Sequence, residues 1–311
     1  MLSRRNVRVK VMQLLYAQRQ DAELTPAKTV RAFNRMIDQS YLTLLFDLYL
    51  FHRVLAEAEG EQQRKANLLR PSEDDKAFRA HISSNELVEA LAKSPELNAA
   101  ARKHQFDELI DEERLRGFYD TAKGYPTYTE YATSANPTLD DHLGALLKAH
   151  KALMDSEGYN DYIEDRFARW PEDKSLVIGS AKKVLKALPQ SAYVMSTYRP
   201  DEETRTGFGE HLLTAVLDKD EELLEYIKPV LQNWDAERVA VLDMILIKMA
   251  LGEFLEFDQI PPKVTLNEYV ELAKSYSTDK SKEFINGILD KLMHSLTESG
   301  KIVKQGRGLI D

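Results

Sequence analysis

The chain has 311 residues, 43% of them hydrophobic and 30% charged, with 51 acidic against 42 basic side chains and a formal net charge of −9. That length allows one large or two ordinary domains, and the acidic balance excludes a general affinity for nucleic acid, so any such surface has to be local. There is no cysteine, which rules out disulfides, thiolate metal sites and cysteine catalysis, and the seven histidines are scattered without a metal-ligating pair. No apolar run reaches the roughly 20 residues that span a bilayer, so no membrane partner is expected.

The first twenty residues are the local exception to the acidic balance. Arg4, Arg5, Arg8, Lys10 and Arg19 face no acidic residue before Asp21. Val7, Val11, Leu14, Leu15 and Gln18 mark one helical face, so the segment reads as an amphipathic helix. Ser3-Arg4-Arg5 resembles the head of a twin-arginine export signal, but Arg8, Lys10 and Gln13 interrupt the apolar region such a signal needs. The expectation is therefore a cytoplasmic protein. Cations at a helix N-terminus oppose the macrodipole at about 0.3–1 kcal/mol each. They suit a phosphate backbone met at that end; a solvated basic face is the alternative.

Pro26 to Leu69 is helix-rich, and Tyr41–Leu55 is dense enough in Leu, Phe and Tyr to be one or two core helices. Pro71–Asp75 is a polar break. Asn85–Ala101 and Asp107–Lys123 read as helical, with an interruption around Pro95. Tyr125–Tyr131 is aromatic and loop-like, and its tyrosines read as packing groups in preference to base-stacking ones. Asp140–Asp155 and Tyr162–Leu188 are helical again. Tyr162-Ile163 followed by Trp170 parallels Tyr226-Ile227 followed by Trp234, at a constant offset of 64 residues, which suggests a repeated helical unit. Residues 189–205 read as a joint.

From Arg238 the chain is apolar on nearly every side to Leu251, with Asp235 a candidate N-cap, and such a helix belongs in the middle of a body. Asp243 and Lys248 are the charges inside this run. They lie too far around the helix to pair, so each reaches solvent at the rim or meets a partner. Pro261 and Pro262 stop helical structure, a second helix covers about Asn267–Tyr276, Ser277–Asp279 is a polar break, and a third helix carries Phe284, Ile288 and Leu292 at helical spacing. Gly287 costs about 1 kcal/mol relative to alanine in mid-helix. That cost fits close approach of RNA or of another backbone, tight helix packing included. The tail from Gly300 is basic, broken by glycine and read as flexible. No phosphate-binding glycine loop occurs, and nothing nominates a nucleophile, base or metal ligand, so neither an enzyme nor a cofactor is expected.

The segments MALGEF, IPPKV, NEYVELAK and FINGILDK, in that order and spacing, resemble the C-terminal half of the NusB transcription antitermination family. The resemblance extends upstream to about Thr206 and reappears in SRRNVRVKVMQLLYA at the N-terminus. It implies an all-α bundle divided as a basic first helix at 1–20, a helical insertion at 21–204 and a core with basic tail at 205–311. It also implies RNA binding in transcription antitermination of ribosomal RNA operons, with single-stranded boxA RNA, the ribosomal protein NusE and the RNA polymerase antitermination complex as partners. Arg4, Arg5, Arg8 and Lys10 would contact phosphates, Phe284 and Asn286 would share the RNA surface, and Asp243 would meet the ribosomal protein. A helical protein–protein adaptor with no essential RNA site is the alternative. The RNA-binding fold of some ribosomal RNA cytosine methyltransferases is a third reading; it needs a methyltransferase domain that this sequence does not contain.

Overall fold

Helix after helix in this chain starts where a short polar side chain or a proline sits. Ser3, Ser72 and Thr138 close capping boxes with Asn6, Asp75 and Asp141, while Asn85 and Ser94 accept from the first free amides of their helices. The computed structural model describes residues 2–190, 194–231 and 239–309. Helix is the only regular structure among them, with no strand: an all-α protein, as the periodicity predicts.

The helices are α1 (Arg4–Gln20), α2 (Pro26–Ala66), α3 (Glu73–Ala77), α4 (Glu86–Ala92), α5 (Pro95–Lys103), α6 (Phe106–Leu109), α7 (Glu112–Ala122), α8 (Tyr128–Thr133), α9 (Leu139–Asp155), α10 (Glu157–Glu164), α11 (Trp170–Ala187), α12 (His211–Asp218), α13 (Asp220–Ile227), α14 (Val241–Glu256), α15 (Pro262–Tyr276) and α16 (Asp279–Glu298). A π-helical turn, Glu203–Glu210, leads into α12. The chain divides into two compact bodies, Asp38–Arg199 and Leu2–Ile37 with Pro200–Asp311. The first turns of α2 therefore belong with α1 and the C-terminal helices, and the boundaries stand at 37/38 and 199/200 beside the expected 20/21 and 204/205.

The body Asp38–Arg199 has its own core, running from Tyr41 to Met195. The expected one or two core helices at Tyr41–Leu55 are part of a single 41-residue helix. Polar groups at its centre are paired, as burial without water requires, whereas Glu96 Oε2 and Tyr125 Oη are buried without a hydrogen-bond partner among the described residues. Asp47 accepts from Tyr159 Oη at 3.0 Å and lies 2.9 Å from His150 Nε2, and Ser40 Oγ donates to Asp173 at 2.7 Å. Tyr128 and Tyr119 are buried with their hydroxyls 2.6 Å apart, so the tyrosine-rich stretch packs inward. Trp170 is buried and donates to Asn160 Oδ1 at 3.0 Å. Its expected counterpart Trp234 lies outside the described residues, as do Asp235 and Arg238.

In the other body α14 is the central element, in contact with α1, α12, α13, α15 and α16. Residues Ile245 to Phe254 are buried without a break, as an all-round apolar helix requires. Pro261 and Pro262 do more than end a helix: Pro262 opens α15 at a position where a missing N–H costs nothing, so α15 begins five residues earlier than expected. The tail is docked as well. Gln305 N donates to Asp258 O at 3.0 Å, and Lys304 Nζ donates to Phe257 O at 2.7 Å and Glu253 O at 3.4 Å, capping the C-terminal carbonyls of α14. The expectation of a flexible tail is thus corrected: Lys304 is held by the carbonyls it caps, and burial pulls its ammonium down to about 8.

Candidate nucleic-acid interface

Ser3 starts α1: its hydroxyl accepts from Asn6 N at 3.3 Å and the Asn6 side chain accepts from Ser3 N at 3.1 Å. This box satisfies free amides without placing an acid in the first turn, which leaves Arg4 and Arg5 as the charges there. Both are exposed. Arg4 sits 3.6 Å from Glu203 across the surface and over the Phe208 ring. Arg5 makes a bidentate pair with Glu268 of α15, 2.9 Å on each side.

Arg8 goes inward. It is 3% exposed, and its Nε and Nη2 donate to Glu253 at 2.8 and 2.6 Å. Its Nη1 reaches Glu268 at 3.3 Å, and the rings of Phe208 and Tyr269 lie at 5.2 and 5.8 Å. Glu253, fully buried in the last turn of α14, also accepts from Thr265 Oγ1 at 2.7 Å and Tyr269 Oη at 3.2 Å. Burial works against the Arg8 charge, but the Glu253 bonds outweigh it and hold the guanidinium still further above its usual value. The hydrogen bond from Arg5 holds the Glu268 carboxyl below its usual range against the opposing effect of burial. Glu268 thus joins the exposed Arg5 to the buried Arg8.

The expected phosphate contacts separate into two classes. Arg4 and Arg5 face solvent. Arg8 does not fit the role, because its donors are taken by carboxylates under a protein lid, and Lys10 is only 2% exposed. Asp243 departs from expectation in the same way. It is 5% exposed and accepts from Ser277 Oγ at 2.6 Å and Ser281 Oγ at 2.7 Å, so it ties α14 to the α15–α16 junction instead of facing outward. Lys248, likewise read at the rim, pairs with Asp220 at 2.6 Å, which also takes Arg19 at 2.7 Å. On α16, Asn286 is exposed and Phe284 is half-buried. An ideal Cβ on Gly287 would meet nothing within 4 Å, so this glycine lies at open surface and not in a tight helix contact.

The sequence reading missed Glu253, Glu268 and Gly209. Glu253 had a signal: a carboxylate in the last turn of an apolar helix needs a cation, and Arg8 adjoins the apolar face of α1. Gly209 marks a close approach to α1 and α2, since a Cβ there would stand 2.2 Å from Phe33 Cζ and 2.8 Å from Val7 Cγ1.

The carboxylates of this arrangement, Glu253 and Glu268, fall in the part of the chain that matches a known family. The NusB family model matches residues 180–294. The transcription antitermination protein NusB of Salinibacter ruber is 40% identical over 132 residues, covering 42% of this chain and 79% of that protein. The chain belongs to the NusB family. NusB of Chloroherpeton thalassium is 40% identical over 100 residues, or 32% of this chain and 47% of that protein, and NusB of Natranaerobius thermophilus 44% over 75, or 24% and 54%; the chain spans about half the length of these two. No solved structure matches significantly. The NusB match includes Asp243, Glu253 and Glu268 but not α1 or residues 38–179. No helix among the described residues is long and apolar enough to cross a membrane, and no group of metal-ligating side chains occurs among them.

Proposed function

We propose that this chain is a transcription antitermination factor that pairs with the ribosomal protein NusE and holds single-stranded boxA RNA in the RNA polymerase antitermination complex. The observation that carries the reading is the 40% identity extending over 79% of the Salinibacter ruber antitermination protein. The function is binding and needs no reacting group. Arg4 and Arg5 supply the phosphate contacts. Their carboxylate partners are surface ion pairs of about 0–1 kcal/mol, readily exchanged for phosphate. Arg8 and Glu253 serve as the strut that fixes α1 on α14, and Glu268 keeps its bond to Arg8 when Arg5 turns to RNA. Phe284 and Asn286 remain candidates for contacts to unpaired bases.

The test is RNA affinity across a salt series, with the ribosomal-protein partner present, for the wild type and for Arg4→Glu/Arg5→Glu. Each phosphate contact to a single strand contributes about 0.7 to the slope of log affinity against log salt, so the double reversal should flatten the slope by about 1.4. Helical circular dichroism should not change. Unchanged affinity and slope would leave α1 a solvated basic face and favour the adaptor reading.

A further inference from the structure

The first three turns of α2 carry a second basic surface. Lys28, Arg31 and Arg35 are exposed and recur at helical spacing, opposite the buried Thr29, Phe33, Met36 and Ile37, and Asp38 ends the stripe. The three cations span a rise of about 10 Å. Lys28 Nζ donates to the Glu23 carbonyl at 2.9 Å. Arg31 and Arg35 have no hydrogen-bond or ion-pair partner among the described residues. Three other exposed arginines of this body behave differently: Arg4, Arg5 and Arg19 each meet a carboxylate.

Helix stability does not explain this choice. The first turn of α2 holds no acid and carries Lys28, which opposes the macrodipole, and Arg31 and Arg35, one turn apart, repel each other. In a chain with 51 acidic residues, a carboxylate at position 28, or at one of 31 and 35, would have relieved this. An external polyanion removes the conflict. The residues between the cations, Ala32 and Asn34 among them, include no exposed aromatic or large apolar anchor of the kind that centres a protein interface. That absence fits contact with a nucleic-acid backbone better than contact with an acidic protein.

The stripe also lies well for RNA held by α1. Val7 and Phe33 both abut Gly209, and a short connection reverses the chain between α1 and α2. Moving from Val7 back to Arg4 and from Phe33 on to Arg35 therefore leads to the same end of the helix pair.

We propose that Lys28, Arg31 and Arg35 form a second phosphate track, which takes the backbone of single-stranded RNA as it continues past the α1 site, without regard to base sequence. The proposal rests on the RNA reading above and deepens it.

The experiment compares two RNAs on the full chain with its ribosomal-protein partner: a short boxA oligonucleotide and the same oligonucleotide extended by uridines. The wild type should bind the extended RNA more tightly and with the steeper salt slope. Arg31→Glu/Arg35→Glu should reduce the extended-RNA slope by about 1.4 and abolish the affinity gain, while short-RNA binding stays within twofold. Arg4→Glu/Arg5→Glu should weaken both RNAs. Because the Arg31→Glu/Arg35→Glu reversal lies past the first turn of α2 and exchanges one like-charge pair for another, the melting temperature should stay nearly unchanged as affinity falls. Arg31→Gln/Arg35→Gln repeats the test without added charge. An extension gain that survives both α2 variants, while the α1 variant loses binding, overturns the second track and leaves the α1 site standing. Loss of the ribosomal-protein partner with the extension gain intact would make the stripe a protein contact and also overturn it. Wild-type binding to neither RNA would overturn both readings.

Discussion

Replacing Glu253 with glutamine should be the most damaging single polar change in the C-terminal body. The carboxylate accepts two bonds from Arg8, at 2.8 and 2.6 Å, and one each from Thr265 and Tyr269. Glutamine keeps the volume and one acceptor but removes the charge. Arg8 cannot relieve the strain by losing its proton, and at 3% exposure it cannot turn to water. Breaking a buried pair from one side costs about 3–5 kcal/mol, a large part of the roughly 5–15 kcal/mol that holds a native protein together. Replacing both partners removes the uncompensated charge, so Arg8→Met/Glu253→Gln should be more stable than Glu253→Gln alone, with a coupling energy of about 1–3 kcal/mol. Hydrogen exchange under increasing urea measures this body directly: protection in α1 and α14 should fall in Glu253→Gln, while the α11 amides of the other body serve as the internal reference. A loss below about 1 kcal/mol in Glu253→Gln, or additive single and double variants, would refute the claim that this pair fixes α1 on α14.

Gly209→Ala should destabilise by about 1–3 kcal/mol or more, since its Cβ would stand 2.2 Å from Phe33 Cζ; thermal melting measures the loss, and Phe33→Leu in the same chain should restore part of it. Asp243→Ala removes the acceptor shared by Ser277 and Ser281; it should cost about 1–3 kcal/mol in urea unfolding, and an unchanged midpoint would return Asp243 to the surface role first expected of it. The Glu268 carboxyl, held below its usual 4.5 by Arg5 despite burial, contributes stability that is complete above that value and is lost as pH falls through the lowered one. An acid titration followed by circular dichroism should therefore show the gap between wild type and Glu268→Gln constant above about 4.5 and closing as pH falls below it.

The relation between sequence and structure differs element by element. The α1 amphipathic pattern and the buried central helix α14 were legible because helix period and all-round apolarity are local properties of the chain. The start of α15 was misplaced because proline was read only as a breaker, although its missing N–H suits the first helical position. The tail looked flexible from its glycines, yet free carbonyls at the end of α14 give it a docking place. Whether Arg8 meets phosphate or carboxylate could not be read from α1, whose spacing shows only that Arg8 lies beside the apolar face.

The sequence by itself determined the helical class, the acidic chain with its basic first helix, and the order of motifs that places it in the NusB family. These follow from residue periodicity, capping chemistry and charge along the chain. Tertiary structure decided which charges are free. Arg8 and Glu253 stand 245 positions apart, and Arg5 and Glu268 stand 263 apart. A helix's own pattern fixes which side chains share a face, but only the packing of α1 against α14 and α15 fixes what each face meets. Packing turned Arg8 and Asp243 into internal ties and left Arg4, Arg5, Arg31 and Arg35 in solvent, because a buried charge is stable only where a partner from another helix replaces the water it has lost.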